Sequence, residues 1–523
     1  MNQLIQSLLR PQAFPHPVTQ LEVIETHISW VILTGQFAYK IKKPVDLGFL
    51  DFSTLTLRKR YCEDELRLNR RWAPDLYLGI VEIRGSEKKA AIGRYGPIID
   101  YAVKMIQFPQ SARLDAQLAA GMVDEADMRS IARMLATAHS NANVSTPHIE
   151  ESINRPMQDN FDEIVRHFDS DTLQILQDWT VNELKRLKPA LVHRRDHGYV
   201  RECHGDLHLG NLVRLASGIT AFDCVEFSKT LRDIDVVSDV AFLVMDLVAH
   251  QRRDLAYEFL NRYLELSGDY DGIELLDLYF VYHCLIRGKV AAIRLGNRTS
   301  QAAAEEDRNN LLHELEVARR FISRSPPIII AMHGFSGSGK TSIAGLLMRS
   351  LPAIRVRSDI ERKRIYGYGE TDSSESGVDQ GIYSKAASNA VHEHLVGVAS
   401  RIVESGHSVI VDASFLKSAH RNQLSDLANR RKAVMLIIDT KATHPVLIER
   451  IIYRSQHQSD ASEANISVLN RQYSEADPLT ADEWKRTISI DSESPTDPAA
   501  ILLQVRKVLA QAVAEATADD GGG

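Results

Sequence analysis

The run Gly334-Phe335-Ser336-Gly337-Ser338-Gly339-Lys340-Thr341 constrains this chain more than any other feature. It follows the apolar stretch IIIAM and opens a segment of helical periodicity, the strand–loop–helix context that G-x-x-x-x-G-K-[ST] requires. Glycines let successive backbone N–H groups converge on phosphate oxygens, and the helix that follows brings partial positive charge to its N-terminus. The nucleotide-holding residues are therefore expected to be Gly334, Ser336, Gly337, Ser338, Gly339, Lys340, Thr341 and Ser342. Lys340 neutralises β- and γ-phosphate charge and Thr341 ligates Mg2+. A ligand-free glycine turn needs the Lys-Thr pair and both flanking elements to be coincidental.

Downstream, the apolar runs HSVIVDASF, AVMLIID and TISID alternate with helical segments, which is the grammar of βαβ units around a parallel sheet. Asp359 ends a second alternating run on the ligand-binding rim, where a carboxylate can accept the proton of an acceptor hydroxyl; the competing reading is a helix N-cap at Ser358 or Asp359. Asp412 closes VIVD as a magnesium-orienting acid does. Arg450 and Arg454, at i and i+4, are placed to close over the transferring phosphate or simply to face solvent.

With 523 residues the chain is too long for one core. Ser325-Pro326-Pro327 cannot continue a helix and marks the best boundary. Before it, Leu21 to Phe108 shows period-two bursts that read as antiparallel strands around one helical insertion, and a mostly helical region follows, interrupted at HGDLHLGN and GITAFDCVEF. The expected division is 1–297, a helical linker 298–327, a second domain 328–517 and a disordered tail 518–523. In the interruption, Asp206 is spaced to receive an acceptor proton, Asn211 to hold a metal, and Asp223 on the next strand to chelate Mg2+ bridging the phosphates. Asp235 and Asp239 read as i, i+4 on a helix, where acidity near the helix N-terminus is favourable.

Two resemblances follow. GFSGSGKT, SDIERKRIYG, VIVDASFL and IERIIYR resemble the small P-loop kinases grouped with gluconate kinase, chloramphenicol phosphotransferase and the kinase domain of polynucleotide kinase. This likeness implies acceptor activation by Asp359, an acceptor-side or phosphate-binding role for Arg362, and lid roles for Arg450 and Arg454. His204-Gly-Asp206 with Asn211 and Asp223 resembles the aminoglycoside phosphotransferase and choline kinase family. That likeness implies an ATP-contacting lysine at Lys40, its carboxylate partner at Glu65, and an aspartate at Asp239 that steadies the catalytic loop, against the simpler reading of helix N-terminal acidity. Lys42 shares a strand face with Lys40, so Lys42 and Glu63 stay open as alternatives. The order of the two parts resembles bacterial fusions of these two families. The expected fold is an α+β protein-kinase-like two-lobed domain followed by an α/β P-loop domain with a parallel sheet. The short turn Thr34-Gly35-Gln36 departs from the family's longer phosphate-covering loop.

Composition narrows the partners. A net charge of −7 excludes a general basic coat for nucleic acid, although Arg355, Arg357, Arg362, Lys363 and Arg364 cluster near the second site. Four cysteines without a CxxC pair fit a reducing cytoplasm, and Cys203 and Cys224 beside the loop read as buried hydrophobes. No signal peptide or membrane span is legible. The expected activity is ATP- and Mg2+-dependent transfer to the hydroxyl of a small molecule, such as a sugar, amino sugar or aminoglycoside. The competing reading confines catalysis to the P-loop half, on a small molecule or a nucleic-acid 5′-hydroxyl, and makes the first half a regulatory or antitoxin-like module. The acidic cluster Asp269, Asp271, Glu274 and Asp277 reads either as a site for a cationic acceptor or as an exposed helix face.

Overall fold

The bursts between Leu21 and Phe108 pair into one antiparallel sheet of six strands: β1 (Glu22–Glu25), β2 (Ser29–Leu33), β3 (Phe37–Lys42), β4 (Tyr77–Ser86), β5 (Lys89–Ile92) and β6 (Ile98–Ile106), in the order β1-β2-β3-β6-β4-β5. Alternation sends Trp30, Ile32, Tyr39, Ile41 and Ala102 into one buried cluster and Leu33, Ala38 and Val103 into another on the opposite face. Helix Leu55–Asn69 packs on that second face through Cys62, and Thr54 caps it by accepting from Leu57 N. The structure is a computed structural model that describes residues 2–520 apart from Leu47, Phe49, Arg94, 298–299, Arg324, 375–379, 458–461 and 495–496; for Glu150, Asn297, His457 and 512–520 only the backbone is described.

Past this sheet the chain is largely helical. Strands β7 (Val200–Glu202) and β10 (Asp233–Asp235) pair antiparallel, enclosing the hairpin of β8 (Leu212–Leu215) and β9 (Gly218–Ala221). The β7–β10 ladder was not legible in the sequence. It places Asp235 on a strand, bonded to Arg194 at 2.7 and 2.9 Å, so Asp235 and Asp239 do not share a helix; the helix begins at Val236.

The second sheet is parallel throughout, with β11 (Ile328–His333), β12 (Ala353–Arg357), β13 (Ser408–Asp412), β14 (Val434–Lys441) and β15 (Thr487–Asp491) in the order β12-β13-β11-β14-β15. Its apolar runs are buried on both faces, as parallel strands covered by helices must be.

By its contacts the chain groups into Met1–Asp246 with Tyr282–Leu312, and Leu247–Val281 with His313–Gly523. The segment 247–281, expected in the first domain, thus belongs to the second unit. The reason is visible at β12, an edge strand whose open peptide groups need partners. Helix Arg253–Ser267 covers that edge: Asn261 donates to Ala353 O at 3.0 Å and accepts from Arg355 N at 2.5 Å, and Glu265 pairs with Arg355 at 2.6 Å. Three of the four acids of the expected cluster have partners in the same unit. Asp271 pairs with Arg401 at 2.5 Å and Asp277 with His407 at 3.2 Å, while Asp269 accepts from Gly272 N at 3.2 Å. The expected linker is helix Gln301–Ile322, with Leu315, Ala318 and Phe321 buried and Phe321 stacked on Phe280 at 3.6 Å. Helix Pro498–Asp520 includes residues 518–520 of the expected tail, and 521–523 lie outside the described residues.

Candidate active sites

In the first unit Lys40 and Lys42 project from the same face of β3 onto one buried carboxylate. Lys40 Nζ lies 2.8 Å from Glu65 Oε1 and Lys42 Nζ 2.5 Å from Glu65 Oε2. Each lysine also has a second carboxylate, Asp223 for Lys40 and Glu226 for Lys42. Glu63 points elsewhere, exposed and 3.8 Å from Lys59. Burial disfavours charge on both lysines, but Asp223, Glu65 and Glu226 outweigh it and hold Lys40 above its ordinary range, as Glu226 and Glu65 do for Lys42. Burial raises the Glu226 carboxyl, and the two lysines hold Glu65 low against its own burial.

The catalytic-loop motif is held by backbone amides. His204 N and Gly205 N donate to the two oxygens of Asp239 at 2.8 and 2.9 Å, and His139 Nε2 lies 3.3 Å from the same carboxylate. Gly205 has φ +84°, and a Cβ there would meet Leu231 O at 2.5 Å, so the turn needs glycine. One helical face further on, Asp246 accepts from Leu209 N at 2.8 Å and pairs with Arg287 at 2.7 Å. Asn211 Nδ2 donates to the carbonyl and to Oδ2 of Asp206, both at 2.9 Å, which leaves the Asn211 side-chain oxygen for a metal. The Asp206 side chain is 42% exposed and lies 3.6 Å from His208. Burial raises its pKa, but His208 and His204 outweigh that and keep the carboxyl below its ordinary value, hence ionised near neutrality.

Phe222 N donates to Asn211 O at 3.0 Å, which ties the loop to the strand end carrying Asp223. Asp223 itself has φ +62°, a conformation costly for a non-glycine residue, and its N–H donates to Tyr77 Oη at 3.1 Å. Asp246, Arg287, Tyr77, His139 and Glu226 are site residues the sequence reading did not assign. Asp246 had a signal, since it sits seven residues after Asp239 on an amphipathic helix.

In the second unit the glycine loop joins β11 to helix Lys340–Ser350. Gly334, Gly337 and Gly339 all have positive φ, and a Cβ at Gly334 would meet Thr440 O at 2.5 Å. Ser338 Oγ bonds Thr440 Oγ1 at 2.7 Å, and Ser336 N donates to Gln472 at 2.8 Å. Lys340 Nζ donates to the carbonyls of Gly334 and Phe335 at 2.9 and 2.8 Å; burial pushes its pKa down to about 8, against the pull of Asp412 and Asp359.

A cavity of about 770 Å³ is lined by Lys340, Thr341, Ser342, Asp359, Asp412, Arg450 and Arg454 together. Asp412 ends β13, and burial raises its carboxyl despite Arg357, Arg355, Lys340 and a hydrogen bond with Thr341. Its Oδ2 is buried without a hydrogen-bond partner among the described residues. A buried carboxylate short of a partner, next to the Thr341 hydroxyl, fits a hard divalent cation such as Mg2+. Asp359 lies in the first turn of helix Ser358–Ile365, whose N-cap is Arg357 with no side-chain cap, so Asp359 is not spent on capping. Arg450 is committed to Gly337 O at 3.2 Å and to Ser492 Oγ at 2.8 Å and O at 2.7 Å, anchoring the loop.

The basic cluster is largely neutralised within the unit. Arg355 pairs with Glu265 at 2.6 Å, Arg364 with Glu361 at 3.2 Å, and Lys363 with Glu463 at 3.3 Å.

These arrangements define a two-lobed protein-kinase-like unit and an α/β P-loop unit of nucleotide-binding type. Residues 329–479 match the AAA domain family. The chain is 29% identical over 458 residues to an uncharacterized protein of Mycobacterium tuberculosis, covering 86% of this chain and 89% of that one. Among solved structures, a GDP complex of aminoglycoside 2′-phosphotransferase-IIIa is 15% identical and covers 60% of this chain and 99% of its own, with a TM-score of 0.39. A gluconokinase from Sinorhizobium meliloti is 23% identical and covers 37% and 96%, with a TM-score of 0.24. No described helix is long and apolar enough to cross a membrane.

Proposed function

We propose that the chain is a cytoplasmic, ATP- and Mg2+-dependent phosphotransferase with two sites, each acting on a hydroxyl group of a small molecule. The observation that carries this reading is the repeated constellation: in each unit a carboxylate that no lysine or arginine pairs with among the described residues shares a site with a lysine and a pair of metal-competent oxygen ligands. In the first unit these are Asp206, Lys40, Asn211 and Asp223. In the second they are Asp359, Lys340, Thr341 and Asp412.

Mg2+, when bound with ATP, would draw charge from the phosphate oxygens at Asn211 and Asp223 in one unit and at Thr341 and Asp412 in the other. Asp206 and Asp359 take the proton of the attacking hydroxyl. Lys40, fixed by Glu65, and Lys340, held over the glycine loop, receive phosphate charge in water-poor surroundings where it counts most. The internal pairing of Arg355, Lys363 and Arg364 leaves little open basic surface for a nucleic-acid strand and favours a small acceptor. Transfer of labelled γ-phosphate from ATP across a panel of hydroxylated compounds tests this reading. Failure of every compound, together with no effect of Lys340→Ala on ATP consumption, contradicts it.

A further inference from the structure

The chain makes a strained turn just past the metal-competent Asp412. Phe415 is buried and has φ +31°, a left-handed conformation that is costly for a residue other than glycine. Such a conformation persists only where the surroundings over-determine it. Ser414, Phe415, Leu416 and Lys417 line the same cavity as Asp412, so the strain lies in the wall of the P-loop site.

The side chain that holds this turn is Arg421, in helix Ser418–Arg431 and 0% exposed. Its Nη1 donates to Phe415 O and Leu416 O, both at 3.1 Å, and to Asp477 O at 3.3 Å, while Nη2 donates to Pro478 O at 3.1 Å. Glu483 answers the charge, with Oε1 2.6 Å from Nε and Oε2 3.2 Å from Nη2. Thr480 N donates to Glu483 Oε2 at 2.8 Å and fixes that carboxylate in turn. Burial raises the Glu483 carboxyl, but Arg421 and the Thr480 amide outweigh it and hold it below its ordinary range. Asp477 adds a second tie: its N–H donates to Leu416 O at 2.9 Å and its Oδ2 accepts from Ser418 N at 2.8 Å, capping the helix where Lys417 supplies no side-chain cap.

A buried ion pair gains little net stability, because desolvation offsets the attraction. A planar fork that reaches four carbonyls of two chain segments fixes geometry instead, which a lysine ammonium does not do. We propose that Arg421 is a positioning residue of the P-loop site: by gripping the carbonyls of Phe415 and Leu416 it keeps the strained turn, and with it Asp412 and the adjoining cavity wall, where the cation and the acceptor must meet them. This rests on the phosphotransferase reading above and gives that site a residue that acts through the backbone without touching nucleotide or acceptor.

The test uses full-length protein carrying Asp223→Asn, which silences the other site. Two quantities are read: Lys340-dependent release of ADP from ATP with glucose, gluconate and adenosine as hydroxyl probes, and the affinity for Mn2+ in the presence of ADP. Arg421→Lys keeps a charge opposite Glu483, and the pair Arg421→Met with Glu483→Met strands no charge, so between them the fold is guarded. Each is expected to unfold cooperatively in urea, to lose about 10- to 100-fold in kcat with the KM for ATP little changed, and to bind Mn2+ about tenfold more weakly or worse. Asn261→Ala, which strips hydrogen bonds at the sheet edge of the same unit, is the structural control and is expected to leave kcat and Mn2+ affinity alone. A folded Arg421 variant with parental kcat and Mn2+ affinity overturns the inference, as does an Asn261→Ala protein with the same losses. Loss of folding in both Arg421 variants makes the residue one of stability alone and overturns it too. If ADP release by the parent does not depend on Lys340, the phosphotransferase reading falls, and the Mn2+ arm still decides for or against Arg421.

Discussion

Asn211 holds Asp206 by two hydrogen bonds of 2.9 Å from one amide nitrogen, one to the carbonyl and one to the carboxylate. The carboxylate is thereby aimed while its other oxygen is left to an acceptor. Asp206→Asn in a Lys340→Ala background is expected to lower the remaining transfer by about 100-fold or more, the upper part of what general-base catalysis supplies, with nucleotide affinity nearly unchanged. Steady-state transfer and calorimetric nucleotide binding check this. Near-normal turnover contradicts the assignment.

Lys340 donates to two loop carbonyls and sits where burial has pushed its pKa down to about 8. It is protonated below that value and loses charge above it, whereas bound phosphates favour the charged form. Nucleotide affinity at this site is therefore expected to be flat below about pH 7 and to fall above about pH 8, by up to about tenfold per pH unit. Binding at pH 8.5 then takes up a proton. Calorimetry in two buffers of different ionisation enthalpy, with Asp223→Asn silencing the other site, measures that uptake; identical heats in both buffers contradict it.

Asn261 replaces a missing strand at the edge of the parallel sheet, serving both Ala353 O and Arg355 N. Asn261→Ala strips partners from two peptide groups and is expected to cost about 1–3 kcal/mol in the unit that holds the P-loop. Urea unfolding of the full chain, followed with and without ATP, reads the change. A shift within about 0.5 kcal/mol, the range of ordinary surface substitutions, contradicts the edge-covering role.

Arg320 is exposed on helix Gln301–Ile322 and offers trypsin a site. We propose that the units are separable in folding but not by a single cut there. Residues 247–281 stay on the first fragment while their contacts belong to the second unit. The nicked chain is expected to run as one species on native size exclusion and to part in denaturant. Two fragments separating at once without denaturant contradict it.

What the sequence revealed follows from how local each feature is. GFSGSGKT and HGDLHLGN carry their chemistry in eight contiguous residues, so spacing alone located both loops. Period two put Lys40 and Lys42 on one face but could not separate them, because the distinction lies in partners more than 180 residues away, Asp223 and Glu226. The region around 253–267 was legible only as part of a mostly helical stretch, and the destination of its helix is fixed by Asn261 and Glu265 meeting β12 about 90 residues later. Asp235 was read into a helix because nothing local announces the three-residue ladder of β10 with β7. Capping by Asp359 was a fair alternative on sequence, and it is the backbone at Arg357 that takes that position.

The most direct measurement is γ-phosphate transfer by four full-length proteins: the unaltered chain, Asp206→Asn, Lys340→Ala and the double variant, each with the same pool of hydroxylated acceptors and products resolved by mass. Two sites predict that each single variant loses a different product and the double variant loses both. Retention of every product by the Asp206→Asn variant, or survival of transfer in the double variant, contradicts the two-site account.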